Sequence, residues 1–191
     1  MKKELIHKRT ISVSSYETDE ERLVIEGSLT DERLFPYIIH ARNEKRDAGL
    51  MHHITLTMEL TIPEMNILSI KAGMPVIPDA GCNDVQEAVQ KLAGRYIRPG
   101  FTNEVRTIFR KASGCIHLTN LILAMSSAAV QGLWSYFSRS REGGAALSPP
   151  DTDGSMLLDS CYMWRKDGPF VKNIRQRRTA EQKEKGTVRR L

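Results

Sequence analysis

The spacing of apolar residues changes along this chain near Cys82, and the change limits the fold class. Before it, the segment HHITLTMEL at residues 52–60 alternates strictly between apolar and polar, as a half-buried strand does. After it, apolar residues recur every three or four positions, as they do in helices. Strands followed by helices are typical of the α+β class. We therefore expect an N-terminal antiparallel sheet packed against about three helices in a single domain.

The other elements follow from the same patterns. Shorter alternating runs predict strands around residues 11–14, 23–29 and 66–71. Capping residues and helical spacing predict helices over 84–93, from Thr102 or Asn103 to Gly114, and over Cys115–Ser138. Segments rich in Gly, Pro and Ser predict loops at 72–81 and 139–153. An apolar run at 156–164 predicts a strand or helix.

The segment Cys115–Ser138 contains no charged residue, so it must be tested as a membrane span. His117, Asn120 and Gln131 make it polar for a bilayer centre, and its alanines suit tight packing inside a protein. We expect a buried helix and no membrane association. The charged residues at the start of the chain do not resemble a secretory signal, which favours a cytoplasmic protein.

The net charge of +5 is unevenly distributed. Residues 172–191 hold eight Lys and Arg against two Asp and Glu, so residues 1–171 are close to neutral. The basic segment has few large apolar residues, which predicts a disordered tail or a frayed helix beside a domain at 1–171. It could contact nucleic acid, anionic lipid or an acidic protein, or remain a solvated terminus. The oligomeric state stays open.

Three cysteines, an odd number, argue against a disulfide framework. Cys82 comes just before one predicted helix and Cys115 opens another, and at a helix start unpaired backbone N–H groups favour a thiolate. His117 follows Cys115 closely, and Cys161 lies in the later apolar run. Together these four side chains could complete a tetrahedral zinc site or hold an iron–sulfur cluster, although CxxC and HxxxH spacings are absent. The alternative is that the cysteines fill space in the core.

A histidine in the alternating strand is the next candidate. Strand parity turns His52, rather than His53, inward, where it could be a ligand, a general base or a core histidine. Asp31, Arg42 and Arg46 are expected to form a solvated rim near it.

Known catalytic motifs give no support for a particular reaction. The sequence has no Walker loop, GxGxxG, GxSxG or HExxH motif. What stays open is an enzyme in which Cys115 is a nucleophile and His117 or His52 its base.

The chain resembles a bacterial family catalogued as a domain of unknown function. The resemblance rests on LTD at 29–31, His52, Cys82, LAGRYIRPGF at 92–101, GCIHL at 114–118, AAVQ at 128–131 and DSCYMWRKDGP at 159–169. It covers most of residues 8–171 and supplies no activity. It implies a shared site at the marked Cys, His and Gly positions, where we expect His52, Gly94 and Gly100 to contact a cofactor, with His52 as an outer-shell or substrate-facing residue.

A weaker similarity concerns layout. A hairpin followed by Cys82, a helix and a second cysteine at a helix start is similar to iron–sulfur scaffold proteins, and to cysteine-bearing metal domains at the ends of some ribonucleotide reductases. The scaffold proteins have Cys-Gly-Asp where this chain has Cys82-Asn83-Asp84. The similarity therefore implies a cluster-assembly role by analogy alone.

Overall fold

The computed structural model describes residues 1–110, 113–139 and 157–188, which fall into two compact units divided after Arg139. The predicted loop at 139–153 lies almost wholly outside the described residues. An antiparallel sheet in the order β1-β2-β5-β6 dominates the first unit. Its strands are β1 (His7–Glu17), β2 (Arg22–Arg33), β5 (Gly49–Thr61) and β6 (Ile67–Val76), and a separate ribbon consists of β3 (Tyr37–Ile39) and β4 (Glu44–Arg46). The mixed α+β class is confirmed.

Three α-helices are described: α1 (Phe101–Ile108), α2 (Ile116–Ser138) and α3 (Pro169–Val188). Helix α2 agrees closely with its prediction and has Cys115 as its N-cap. Helix α1 ends at Ile108, several residues before the predicted stop at Gly114. It begins after Gly100, whose φ of 98° suits a residue without a side chain.

One face of the sheet packs against α2. Gly27 on β2 permits this close approach, because a Cβ atom there would lie 2.5 Å from the Met125 sulfur and 3.0 Å from Leu121 Cδ1. Met125 and Leu121 are themselves fully buried. By length and composition α2 could cross a membrane, but half of its apolar window is buried inside this fold. It is the core helix of the first unit.

The segment after β6 differs from its prediction. β6 continues to Val76 where a loop was predicted from Ala72, and two short 3₁₀ turns, Ala80–Val85 and Glu87–Leu92, replace the predicted helix at 84–93. The Gln86 and Gln90 side-chain amides donate to the carbonyl oxygens of Ala72 and Ile70. The turns thus cover the outer edge of β6, which would otherwise expose unpaired backbone groups.

The second unit contains turns and α3. Residues 157–164 are turns rather than the predicted strand or helix. They are held by hydrogen bonds such as the one from the Lys166 backbone N–H to Asp159 Oδ1, 2.9 Å long. Helix α3 covers most of the basic segment that was predicted to be disordered or frayed, and its described basic side chains, from Lys172 to Arg178, are exposed.

Candidate metal centre

A polar row crosses three strands of the sheet on the face that α2 covers. Arg9 on β1 lies directly opposite Asp31 on β2, and Asp31 lies opposite His52 on β5. Directly opposed side chains on one face of a sheet are within contact distance. A register shift between Asp31 and Glu32 follows the row. The strand register therefore brings the guanidinium of Arg9, the carboxylate of Asp31 and the imidazole of His52 together at one end of the sheet.

Asp31 is the centre of this row and its side chain is only 5 % exposed. Arg9 binds its carboxylate through two hydrogen bonds of 2.7 Å, from Nε to Oδ1 and from Nη2 to Oδ2. His7 Nε2 lies 3.0 Å from Oδ1. Burial raises the pKa of Asp31, but the hydrogen bonds from Arg9 and His7 and the charges of Arg9 and His117 hold it well below its usual range. Asp31 is therefore a carboxylate at neutral pH.

Two histidines face the same oxygen atom of Asp31. His52 Nδ1 lies 3.2 Å from Oδ2, and His117 Nε2, in the first turn of α2, lies 3.3 Å from it. The two imidazole rings are 4.0 Å apart between centroids. Burial lowers the pKa of His52 despite the nearby carboxylate, which favours the neutral ring that a metal ion requires.

The hydrogen bonds of this cluster are incomplete. A carboxylate offers about four lone-pair sites. Arg9 and His7 occupy three of them, which leaves one site on Oδ2 for two imidazole nitrogens. His52 Nδ1 is buried and forms no well-aligned hydrogen bond with any described residue, although Asp31 Oδ2 lies 3.2 Å away. An unsatisfied buried nitrogen is costly unless another ligand binds it.

The distances from Asp31 to each of the two histidines match the ligand spacing of a small transition-metal site. One ligand atom each from Asp31, His52 and His117 lies within 4.8 Å of the others. Ligand atoms about 2.0–2.1 Å from a tetrahedral zinc ion lie about 3.3 Å from one another. The oxygen-to-nitrogen distances of 3.2 and 3.3 Å agree with that separation. Two histidines and one carboxylate also form the facial ligand set of non-haem iron(II) sites.

Cys115 adds a sulfur atom to the cluster. Its Sγ lies 3.4 Å from His117 Nδ1, so the His117 ring bridges the thiol and Asp31. Burial raises the pKa of Cys115, but the hydrogen bond to His117 and the backbone N–H groups of His117 and Leu118 lower it further than burial raises it. The thiolate form is therefore favoured relative to an ordinary cysteine.

The other residues predicted for the site are Cys82, Cys161, Gly94 and Gly100. The structure brings Cys115 and His117 into contact. The pKa of Cys82 is raised, mainly by burial and to a smaller extent by Cys115. Cys161 is exposed in the second unit. Gly94 and Gly100 both have positive φ in turns, with open space where a side chain would extend. A ligand set of Cys82, Cys115, His117 and Cys161 stays a prediction.

Asp31 was wrongly assigned to a solvated rim. It continues the alternation of Leu23, Ile25, Gly27 and Leu29, so its parity already placed it on the inward face of β2. The same parity on β1 adds His7 and Arg9. Arg42 and Arg46 do lie partly exposed, where each pairs with Glu44. The inward orientation of His52 is confirmed.

This fold and this cluster define an α+β protein with a candidate Asp/His/His metal centre. A family model described as "Protein of unknown function (DUF2889)" matches residues 7–131, about two thirds of the chain. The chain therefore belongs to that family, which confirms the resemblance to a domain of unknown function. All the residues of the cluster, from His7 to His117, lie within the matched range. No curated protein and no solved structure gives a match.

Proposed function

We propose that this protein binds a divalent transition-metal ion through Asp31, His52 and His117. The observation that supports the proposal best is the convergence of two imidazole nitrogens on one carboxylate oxygen: His52 Nδ1, which is buried and forms no well-aligned hydrogen bond with a described residue, and His117 Nε2 both face Asp31 Oδ2. The one remaining lone pair of Oδ2 can form one well-aligned hydrogen bond, so it does not fully satisfy both imidazole nitrogens. A metal ion between the three atoms would instead take each of them as a ligand.

The chemistry of the ligands selects among metals. Two imidazoles and a carboxylate suit zinc or iron(II) better than magnesium or calcium, which prefer oxygen ligands alone. An iron–sulfur cluster is less favoured at this cluster, because thiolates hold such clusters. Three protein ligands leave coordination positions for water or a substrate, which is the arrangement of catalytic rather than structural zinc sites.

The test is metal analysis of full-length protein purified without an affinity tag. We expect about one equivalent of a transition metal per chain in the wild type, and loss of most of it in His52→Gln, which removes one of three ligands. His53→Gln is the matched control, because His53 is the next residue of the same strand and lies outside the ligand group. Less than half an equivalent in the wild type, or equal loss in both variants, would refute the ligand assignment.

A second candidate is thiol chemistry at Cys115. The contacts from Cys115 Sγ to His117 Nδ1 and from His117 Nε2 to Asp31 have the order of a nucleophile, a base and an orienting acid. This candidate predicts rapid alkylation of Cys115 at neutral pH in chelator-treated protein. Slow alkylation at all three cysteines would exclude it.

Location and partners belong to the same proposal. Three free cysteines suit the reducing cytoplasm. The exposed basic side chains of α3 suit a nucleic acid or an acidic protein as a partner.

A further inference from the structure

We propose that Cys115 is the positioning residue that presents His117 to the metal, by accepting a hydrogen bond from His117 Nδ1. The inference rests on the proposed metal site and adds a fourth residue to it. It assigns the sulfur an outer role, one ring away from the metal, rather than that of a ligand.

The role of Cys115 follows from the tautomer that His117 must adopt in order to bind a metal ion. A neutral imidazole carries one proton, so a ring that binds a metal through Nε2 must carry its proton on Nδ1. His117 Nε2 is the nitrogen that faces Asp31, at 3.3 Å, and Nδ1 faces Cys115 Sγ, at 3.4 Å. Metal-bound histidines generally donate their second N–H to an acceptor that fixes the ring and increases its basicity. Cys115 occupies that acceptor position here.

The backbone holds the sulfur in place. Cys115 is the N-cap of α2, with φ −115° and ψ 133°, and its carbonyl oxygen accepts from the Thr119 backbone N–H and hydroxyl. His117 is two residues further on in the same first turn. Both side chains therefore belong to one rigid helix start, so the distance from sulfur to ring depends little on the loop before it.

The geometry also separates this role from direct ligation. The ligand group whose atoms all lie within 4.8 Å of one another contains Asp31, His52 and His117, and among the described residues it does not extend to a cysteine. A sulfur atom that is hydrogen-bonded to Nδ1 of His117 lies across the imidazole ring from a metal ion bound at Nε2. Replacing Cys115 should therefore weaken the metal site without removing one of its ligands.

The experiment measures zinc affinity by competition with a chromophoric chelator. Full-length wild type is compared with Cys115→Ala, Cys115→Ser and, as a matched cysteine control, Cys161→Ser. Loss of an outer hydrogen-bond partner typically weakens metal binding by about 10–100-fold. We expect that loss in Cys115→Ala, partial recovery in Cys115→Ser, whose hydroxyl also accepts, and wild-type affinity in Cys161→Ser.

Two spectroscopic measurements distinguish the roles of the sulfur even if Cys115→Ala folds poorly. Two-bond ¹H–¹⁵N spectra of the zinc-loaded wild type should show His117 protonated at Nδ1. The cobalt(II)-loaded wild type should lack a thiolate-to-metal charge-transfer band. A strong band that Cys115→Ser abolishes would show that Cys115 is itself a ligand, and unchanged affinity in Cys115→Ala would show that it has no role; either result overturns the inference while leaving the metal site intact. A wild type that binds no metal would refute the proposed function itself.

Discussion

The coupling free energy between Arg9 and Asp31 should be clearly larger than that of a similar but more exposed ion pair elsewhere on the sheet. Both bonds from Arg9 to Asp31 are 2.7 Å long, and the Asp31 side chain is 5 % exposed. A charge-assisted hydrogen bond contributes about 1.5–3 kcal/mol. The Arg9 side chain is 34 % exposed, so solvent screening reduces each bond to the lower end of that range or below it. We expect a coupling energy of about 2–3 kcal/mol.

A double-mutant cycle measures this coupling. The free energy of urea unfolding is determined, in the presence of a chelator, for the wild type, Arg9→Gln, Asp31→Asn and the double variant. The control cycle uses Arg22 and Glu59, an Arg–carboxylate pair at 2.6 Å between β2 and β5 whose side chains are 39 % and 29 % exposed. We expect a clearly smaller coupling for this more exposed pair, because solvent screens its charges more strongly. Equal couplings in the two cycles would refute the argument from burial.

The same pair predicts a pH dependence with a definite sign. The pKa of Asp31 is lowered in the folded state from an ordinary value of 3.8, so the folded protein resists protonation of this carboxylate. The stabilisation is complete above about pH 5 and is lost as the pH falls below 3.8 towards the lower folded-state value. The difference in unfolding free energy between the wild type and Asp31→Asn should therefore shrink on acidification. A constant difference between pH 6 and pH 2.5 would contradict the shifted pKa.

Further predictions concern packing and the basic segment. Gly27→Ala should destabilise the fold by about 1–2 kcal/mol, because its new methyl group meets the Met125 side chain; a neutral result in urea unfolding would contradict the close approach of α2 to β2. Leu121→Ala should cost about 2–5 kcal/mol, whereas Ile116→Ala, at a position 65 % exposed on the same helix, should cost less than about 0.5 kcal/mol. Removal of residues 172–191 should leave the metal content unchanged, since the proposed ligands lie between Asp31 and His117. The same truncation should abolish the salt-sensitive binding to nucleic acid that we propose for the basic segment, and unchanged binding would contradict that proposal. Metal loss on this truncation would contradict the ligand assignment.

The sequence predicted the strands and the central helix well because their periodicity is long and regular. The alternation around Ile54 and Leu56 and the helical spacing after Cys115 correspond to β5 and α2. The segment between Ala72 and Leu92 was predicted poorly, because hydrogen bonds from Gln86 and Gln90 to β6 determine its path. Such contacts between distant side chains and backbone leave no periodic signal.

The candidate site was predictable in part. The motif GCIHL pointed to His117, and strand parity predicted that His52 faces inward. The same parity along β2 also predicts that Asp31 faces inward. The convergence of the three residues depends on the register between β2 and β5 and on the approach of the first turn of α2. The sequence favoured the cysteines as ligands because thiolates bind metals strongly. Among the described residues, however, the ligand group consists of one aspartate and two histidines.

X-ray absorption spectroscopy of the zinc-loaded full-length protein tests the metal assignment most directly, because it reports the ligand atoms themselves. Ligation by Asp31, His52 and His117 predicts a first shell of nitrogen and oxygen at about 2.0–2.1 Å, with the multiple scattering of two imidazoles. Ligation by the cysteines would instead give sulfur at about 2.3 Å. A sulfur-dominated first shell, or zinc that a His52→Gln variant retains with an unaltered spectrum, would contradict the account.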